Sequence, residues 1–515
     1  MSAATPSLDR AGVVGLGTMG AGIVEVFART GLPVVAVEIN DEALSRGRGI
    51  LEGSVQRALD KGRLSADDAS ALLGRVTWTT SFDDLAEVDL VIEAIPERLE
   101  LKVDLFTTLD ALCKPSTILA TNTSSLSVTR IAAATGRPGR VIGMHFFNPA
   151  PVMKLVEVIT TVLTDADVAD LVRDLSTRCG KTPVVVGDRA GFVANTLLIG
   201  YLNDAVRLFE ETSVSRDDLD AAMRLGAGLP MGPLALCDLI GLDVVLEIVD
   251  VLFAESRDPV HAAAPLLRSM VAAGLLGRKS GRGFYTYAGP GSGRVDEAAD
   301  ETPAVTLPGR TVIVGRTSHA DELLADAAKA DVALAATSID APDLDGADLV
   351  LVEVSPLHSV RDFALAHADI RERIVGIHPL HRGPNGLLVE VVRTPFTSDD
   401  AVAAACAIVR AADAVPAVCD DRAGLVVGRL LTVYLNDAAR MVDSGYASPD
   451  DVDAAMTLGC GYPVGPVAFL SRMGASSVVS TLDRVHAETA LGRHAAVPLL
   501  SDAAAYGVPI SELAR

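Results

Sequence analysis

Basic residues are scarce in this sequence: 44 Lys and Arg stand against 67 Asp and Glu, a formal net charge of −23 over 515 residues. Nucleic acid and anionic membranes both reward a continuous basic face, so this balance argues against either as a partner. A phosphorylated ligand remains admissible only where local lysines or arginines override the overall field. Long apolar runs are also missing. None approaches the roughly 20 residues of a membrane-spanning helix, and MSAATPSLDR has neither the basic head nor the apolar stretch of a secretory leader. The expectation is a cytoplasmic protein. Cysteine is sparse: Cys113, Cys179, Cys237, Cys406, Cys419 and Cys460 lie scattered in apolar or small-residue contexts, without a CxxC or close clustering with histidine. They read as reduced core residues, and no metal site is expected.

What is present is a globular composition, 49% hydrophobic and 22% charged, long enough for two to four domains. Within it one unit occurs twice. RVIGMHFFNPAPVMKLVEV at 140–158 reappears as RIVGIHPLHRGPNGLLVEV at 373–391, and in both copies a histidine (His145, His378) stands twelve residues before a glutamate (Glu157, Glu390). The same offset of 233 residues relates DRAGFVANTLLIGYLNDAVR at 188–207 to DRAGLVVGRLLTVYLNDAAR at 421–440, and DAAMRLGAGLPMGP from Asp220 to DAAMTLGCGYPVGP from Asp453.

The first copy opens with AGVVGLG at 11–17, a helical pattern from Met19 to Arg29, and a second apolar run, PVVAVEI, at 33–39. Strand, helix and strand in about 30 residues make a βαβ unit, and near-continuous Val/Ile strands suit a parallel sheet covered on both faces. A long helix is expected from Asp41 to about Gly62, with further strands at 88–95, 116–122 and 140–146; beyond Asp188 helical patterns dominate. The expected domains are therefore an α/β domain at 8–187, an all-α domain at 188–287, a Gly/Pro-rich linker at 288–309, a shortened α/β domain at 310–420 and a second all-α domain at 421–515. From Gly15 to His145 takes 130 residues but from Gly315 to His378 only 63, so about half of the second α/β domain is expected to be gone.

Gly15, Gly17 and Gly20, with Thr18 and Met19 between them, form GLGTMG directly after the first strand, and Glu38 ends the second. In such a turn the first glycine permits the tight bend, the second lets backbone amides approach a pyrophosphate, and the third lets helix and sheet pack closely; the helix N-terminus then faces the phosphates. Glu38 would accept hydrogen bonds from ribose hydroxyls and repel a 2′-phosphate, which favours NAD over NADP. The second copy opens with VIVGRTSHAD, lacking two of the three glycines.

GLGTMGAGI, VIEAIPERLELK, TNTSSL, GMHFFNPAPVMKLVEV, DRAGFVANTLL, LGAGLPMGP and LGRKSGRGFY, in this order over about residues 11–287, resemble the successive motifs of the (S)-3-hydroxyacyl-CoA dehydrogenases. The tandem arrangement is similar to bacterial members with a degenerate second Rossmann-like domain and a second helical domain, among them 3-hydroxybutyryl-CoA and 3-hydroxyadipyl-CoA dehydrogenases, the latter serving phenylacetate breakdown. The resemblance implies a Rossmann-type α/β domain plus an all-α domain, then a shortened Rossmann-like domain and a second copy of the all-α domain, with an acyl-CoA as substrate. It implies His145 as general base and Glu157 as its partner, Ser124 and Asn195 at the substrate oxygen, and Asn148 ordering the site near the cofactor. Glu97, Lys102 and Lys279 would contact NAD, and Ser54 and Lys61, flanked by Arg57 and Arg63, the CoA. Relatives pair the helical domains of two subunits; two such domains on one chain suggest an internal pseudo-dimer, and a homodimer of whole chains is compatible with it. No hydratase or thiolase portion is evident.

Elementary chemistry agrees: oxidising a secondary alcohol sends hydride to a nicotinamide and the hydroxyl proton to a base near pH 7, the range natural to histidine. A glutamate on one ring nitrogen fixes the tautomer and stabilises the imidazolium. A purely structural pair is the competing account, because His378 and Glu390 persist in the second copy. The neighbours separate the two. At the common offset Asn148 becomes His381, Asn195 becomes Gly428 and Ser124 becomes Leu357, whereas Asp188, Gly191, Tyr201, Asn203 and Asp204 are unchanged. Polar groups lost together with the glycine turn point to one working site, in the first copy. Two other readings stay open: a β-hydroxyacid dehydrogenase of the 6-phosphogluconate type, which also opens with GLGxMG but uses a catalytic lysine, and a non-catalytic NAD-binding protein. Calorimetry should find one NAD bound per chain; two would refute a single working site.

Overall fold

The computed structural model describes residues 8–295, 309–315, 334–337, 342–380 and 386–514. Its first apolar runs form β1 (Ala11–Val14) and β2 (Val34–Val37), every residue of which is buried, with α1 (Thr18–Arg29) crossing between them. The crossover through α1 makes β1 and β2 parallel neighbours, and burial on both faces suits such apolar strands. Helix α2 (Asp41–Asp60) starts where the Asn40 side chain accepts from the Ala43 amide at 2.9 Å, with Asp41 and Glu42 in its first turn complementing the helix dipole. Helix α3 (Ala66–Gly74) and strand β3 (Val76–Thr79) follow, then β4 (Leu90–Glu93), α4 (Leu99–Leu112), β5 (Ile118–Thr121), α5 (Val128–Ala132), β6 (Val141–Phe146), β7 (Leu155–Thr160), α6 (Ala166–Arg178), β8 (Thr182–Gly187) and the long α7 (Ala194–Glu211).

The sheet order is β3-β2-β1-β4-β5-β6-β7-β8, all neighbours parallel except β6 and β7. That single antiparallel step sets His145 directly opposite Glu157. The second copy builds a six-stranded sheet from β9 (Thr311–Val314), β10 (Leu334–Thr337), β11 (Leu349–Glu353), β12 (Ile374–Pro379), β13 (Leu387–Arg393) and β14 (Ala414–Asp420), ordered β10-β9-β11-β12-β13-β14. Its one antiparallel step, β12 with β13, sets His378 opposite Glu390.

The second sheet is less reduced than chain length implies, with six strands described against eight. One strand does the work of two: β11 pairs with β9 as β4 pairs with β1, yet it leads straight into the turn that follows β5 in the first copy. Asp348 accepts from the Arg310 amide as Asp89 does from the Arg10 amide, marking the start of β11 as β4-like. Ser359 then bonds Asp421 as Ser127 bonds Asp188. The excision thus shifts the correspondence by one residue, so Pro356, not Leu357, stands at the place of Ser124.

By internal contacts the chain forms two compact units that exchange segments. One comprises the chain up to Thr196 with Ala254–Ser256 and Ser444–Gly465; the other comprises Leu197–Phe253, Arg257–Asp443 and Pro466–Arg515. Within the first, the second-copy segment lies on β7 and β8: the Tyr446 hydroxyl donates to the Gly187 carbonyl at 2.9 Å, and the Arg189 guanidinium sits 4.3 Å from the Tyr446 ring centre. A Cβ on Gly459 would come within 2.6 Å of Leu155 Cδ2 and 3.1 Å of Phe147. Within the second unit the π-helical turn Ala222–Gly226 packs in the same way, a Cβ on Gly226 falling 2.9 Å from Leu388 Cδ2. There α7 from Leu197 onward meets the helix Val427–Asp443, with the Tyr201 and Tyr434 rings 5.9 Å apart and Arg493 paired to both Asp204 and Asp437.

Among the described residues no helix is long and apolar enough to cross a membrane. Gly459→Val should overpack the Leu155–Phe147 contact and destabilise the protein by about 1–3 kcal/mol, read as a lower denaturant midpoint. An unchanged midpoint would mean that Ser444–Gly465 does not seat there.

Candidate active site

The three glycines of the opening turn have three different surroundings. Gly15 has φ +87°, and a Cβ there would sit 2.9 Å from the Ala94 backbone; one on Gly20 would fall 1.7 Å from the Gly15 carbonyl oxygen. Gly17 has nothing within 4 Å of that point. It is also the N-cap of α1, without a side-chain cap and without an acidic residue in the first turn. The exposed start of α1 at Thr18 and Met19 therefore presents amides to an anion, at the positive end of the helix dipole. Glu38 is already docked at this turn: Oε1 accepts from the Leu16 amide at 2.7 Å and Oε2 from the Ile39 amide at 2.9 Å. Each carboxylate oxygen keeps a lone pair for a ribose hydroxyl. Open space at Gly17, an uncapped helix start and an oriented acid all fit a dinucleotide. In the second copy Gly315 keeps the first bend at φ +84°; the counterpart of the rest of the turn, from Arg316, lies outside the described residues.

At the C-terminal ends of β4 and β5 the structure assembles a buried polar network. Lys102 is 1% exposed and its ammonium donates to Glu93 Oε1 at 2.6 Å, with Glu97 Oε2 at 3.3 Å. Glu93, 0% exposed, also accepts from the Thr121 hydroxyl and the Ile95 amide. Glu97 Oε1 in turn gathers the Thr123 hydroxyl at 2.5 Å and the Ser124 amide at 2.9 Å. Burial works to raise the Glu97 carboxyl, but the Lys102 charge and these hydrogen bonds outweigh it and hold the group below the ordinary carboxylate range. Glu93 was not among the residues singled out from sequence. The available signal was an acid closing an otherwise apolar strand, nine residues before a lysine.

His145 and Glu157 meet across β6 and β7, Nδ1 to Oε2 at 2.7 Å, with the histidine 7% and the glutamate 0% exposed. Phe147 and Phe192 flank the imidazole at ring-centre distances of 4.6 and 5.8 Å. Glu157 has a second task that sequence alone did not disclose. Its Oε1 accepts from the Val193 and Ala194 amides, both at 3.1 Å, at the start of α7. Successive left-handed residues, Gly191 at φ +72° and Phe192 at φ +46°, turn the backbone that presents these amides. Asn195, next in α7, donates to the Ser124 carbonyl at 3.4 Å.

A continuous path of hydrogen bonds and adjacent residues thus joins His145, Glu157, Asn195, Ser124, Glu97 and Lys102. Asn148 is exposed on the loop after β6. On α2, Ser54 is half-buried, while Lys61, Arg57 and Arg63 are exposed and form no ion pair among the described residues. Lys279 belongs to the other compact unit, in the turn Arg278–Ser280, where it pairs with Asp243. No cluster of three or more metal-capable side chains occurs among the described residues, and all six cysteines are free.

The second copy reproduces the pair in detail. His378 Nδ1 lies 2.7 Å from Glu390 Oε2, and Glu390 Oε1 accepts from the Val426 and Val427 amides at 2.9 Å. Gly424 and Leu425 repeat the left-handed turn. The neighbours differ: where Asn195 reaches Ser124, Gly428 has the Pro356 ring 3.1 Å from where its Cβ would be. His381, the counterpart of Asn148, lies outside the described residues.

A doubly covered parallel sheet with a glycine turn, an uncapped first helix and an acid-tipped second strand defines a dinucleotide-dependent dehydrogenase architecture. Residues 10–189 match the family of the 3-hydroxyacyl-CoA dehydrogenase NAD-binding domain, and residues 191–287 and 424–509 match that of its C-terminal domain. A 3-hydroxyadipyl-CoA dehydrogenase of Escherichia coli K12 is 33% identical over 474 residues, covering 92% of this chain and 92% of its own. A 3-hydroxybutyryl-CoA dehydrogenase of Clostridioides difficile is 48% identical over 275 residues, 53% of this chain and 98% of its own. The crystal structure of a 3-hydroxybutyryl-CoA dehydrogenase from Escherichia coli K12 superposes with a TM-score of 0.80 at 32% identity, covering 97% of this chain and 99% of that one. The chain belongs to the 3-hydroxyacyl-CoA dehydrogenase family, and its cofactor is NAD. Replacing Glu38 with Ala should narrow the preference for NAD over NADP; unchanged selectivity in steady-state kinetics would count against its ribose role.

Proposed function

We propose that the chain oxidises short (S)-3-hydroxyacyl-CoA thioesters reversibly to 3-oxoacyl-CoA, with His145 as the general base. The observation that carries this is the buried His145–Glu157 bond at 2.7 Å. Glu157 engages Nδ1, so Nε2 is the nitrogen left to take the hydroxyl proton, and the carboxylate stabilises the imidazolium that forms. Ser124 and Asn195 hold the substrate oxygen, and their mutual contact keeps both in register with the base. The turn from Gly15 to Gly20 and Glu38 would hold NAD, with Glu97 and Asn148 near it, and bound there it would supply the hydride acceptor. Lys102, enclosed between Glu93 and Glu97, shapes that region from within. Lys61, with Arg57 and Arg63, gives the CoA phosphates the local cations that an acidic chain must provide, and Ser54 adds a hydroxyl. Lys279 is a further cofactor contact by family resemblance.

The names of the relatives put 3-hydroxybutyryl-CoA and 3-hydroxyadipyl-CoA forward as substrates; we place the reaction in fatty-acid β-oxidation or phenylacetate breakdown, in the cytoplasm. The helical domains at about 188–287 and 421–515 act as an internal pseudo-dimer. The ring contact of Tyr201 with Tyr434 and the bridge of Arg493 to Asp204 and Asp437 support it.

His145→Gln should lower kcat by roughly 10² to 10⁴ while NAD affinity is kept. Near-normal turnover of 3-hydroxybutyryl-CoA in that variant would remove His145 as the base.

A further inference from the structure

A second buried lysine lies in the first unit, one residue before β8. Lys181 is 7% exposed and has no ion pair among the described residues. Its ammonium donates to two main-chain carbonyls, Ala150 at 2.6 Å and Met153 at 2.7 Å. Both belong to the loop that joins β6, which carries His145, to β7, which carries Glu157. The loop otherwise closes on itself, the Val152 and Met153 amides donating to the Pro149 carbonyl, and it rests on the helix of the glycine turn: a Cβ on Gly22 of α1 would lie 3.2 Å from Ala150 and from Pro151. Asn148 stands at the head of this loop.

The fold itself does not require this lysine. At the same offset of 233 residues the second copy has Ala414, the first residue of β14, and β12 and β13 still pair in the His–Glu register. Nor does Lys181 serve stability through its charge. Burial, more than any neighbour, pushes its ammonium down to about 8; Lys154 and Arg29 act in the same direction, while Cys179 and Glu25 oppose them. Glu25 is itself engaged by Arg29 at 2.6 Å. Because the folded value lies below the unfolded one, the unfolded chain holds the proton more tightly between the two. The charge therefore opposes folding at neutral pH, and that penalty is relieved as pH rises through this window.

We infer that Lys181 is a positioning residue of the dehydrogenase reaction, a two-pronged ammonium clamp that fixes the Asn148–Met153 loop between the glycine-turn helix and the strand pair of the base. The inference rests on the proposed function of that loop and adds the group that immobilises it. An ammonium suits the task because two loop carbonyls accept from one compact, charged donor, and such bonds are roughly twice as strong as neutral ones. Small displacements of groups around a reacting centre lower turnover steeply.

The test is Lys181→Met, which keeps the stem and removes the charge, with Lys181→Arg as the charge-retaining variant, each in the full chain. For Lys181→Met we expect kcat for 3-hydroxybutyryl-CoA oxidation to fall about 10- to 100-fold, with faster hydrogen exchange at Ala150–Lys154. The melting temperature should stay within about 4 °C of the unmodified chain, and Lys181→Arg should recover part of the lost turnover. A kcat within twofold of the unmodified chain would overturn the inference, as would a loss of turnover accompanied by a larger fall in melting temperature. If the unmodified chain leaves the thioester untouched, the substrate assignment fails by itself. Hydrogen exchange in the loop then still decides whether Lys181 clamps it.

Discussion

One buried carboxylate organises the first unit. Glu157 is fully enclosed and divides its two oxygens between unlike tasks, one holding the His145 ring and the other the first amides of α7. A buried charge must have its lone pairs occupied, and these three donors occupy them in directions that admit little adjustment. The antiparallel step of β6 and β7 supplies the cross-strand register, and the left-handed turn at Gly191 and Phe192 supplies the helix start. Asn195 inherits its position from that start, and through it the contact with Ser124. Strand register, helix placement and the orientation of the imidazole thus meet at one side chain.

The same carboxylate accounts for a puzzle posed by the repeat. If the His–Glu pair served chemistry alone, its survival in a copy that has lost the other polar neighbours would be unexpected. Glu390 survives because it still anchors a helix: the Val426 and Val427 amides need an acceptor in the dry interior whether or not any reaction occurs. His378 survives because a buried carboxylate without its ring donor would have a lone oxygen to satisfy. Asn195 and Ser124 anchor no helix start, and in the second copy their places pass to Gly428 and Pro356 with the His–Glu register intact. Retention therefore reports on folding here.

Much of this was legible in the sequence, for reasons of periodicity. Val/Ile runs that break into glycine gave β1, β2 and the turn between them, and the twelve-residue spacing of His145 and Glu157 is what a hairpin of that length brings face to face. What could not be read were relations between residues far apart in the chain with no shared pattern. Glu93 and Lys102 are only nine residues apart, yet their burial as an ion pair depends on a strand and the following helix that the sequence does not bring together. The second task of Glu157 depends on a turn 36 residues away. The one-residue shift that puts Pro356 at the place of Ser124 arises because β11 replaces two strands, and an unbroken numerical offset cannot reveal an excision. Helix α3 and strand β3, too polar and too short to announce themselves, were also not distinguished beforehand.

The exchanged segments give the second copy a part in the environment of the strand pair that carries His145 and Glu157. Cys460 and Tyr446 belong to the second copy by sequence but to the first compact unit by contact. Burial raises both groups, the Cys460 thiol to about 12, and Glu157 adds to the rise in each case, so its negative charge is felt at both side chains. Ser444–Gly465 lies on β7 and β8, Tyr446 on the Gly187 carbonyl and Gly459 against Leu155 and Phe147, where Glu157 is wholly buried; a hydrogen bond to a charged group gains as the surrounding dielectric falls. A copy that has given up the polar neighbours of its own pair is in this way still part of the other: its segment packs on Leu155 and Phe147, and Phe147 flanks the imidazole that Glu157 holds.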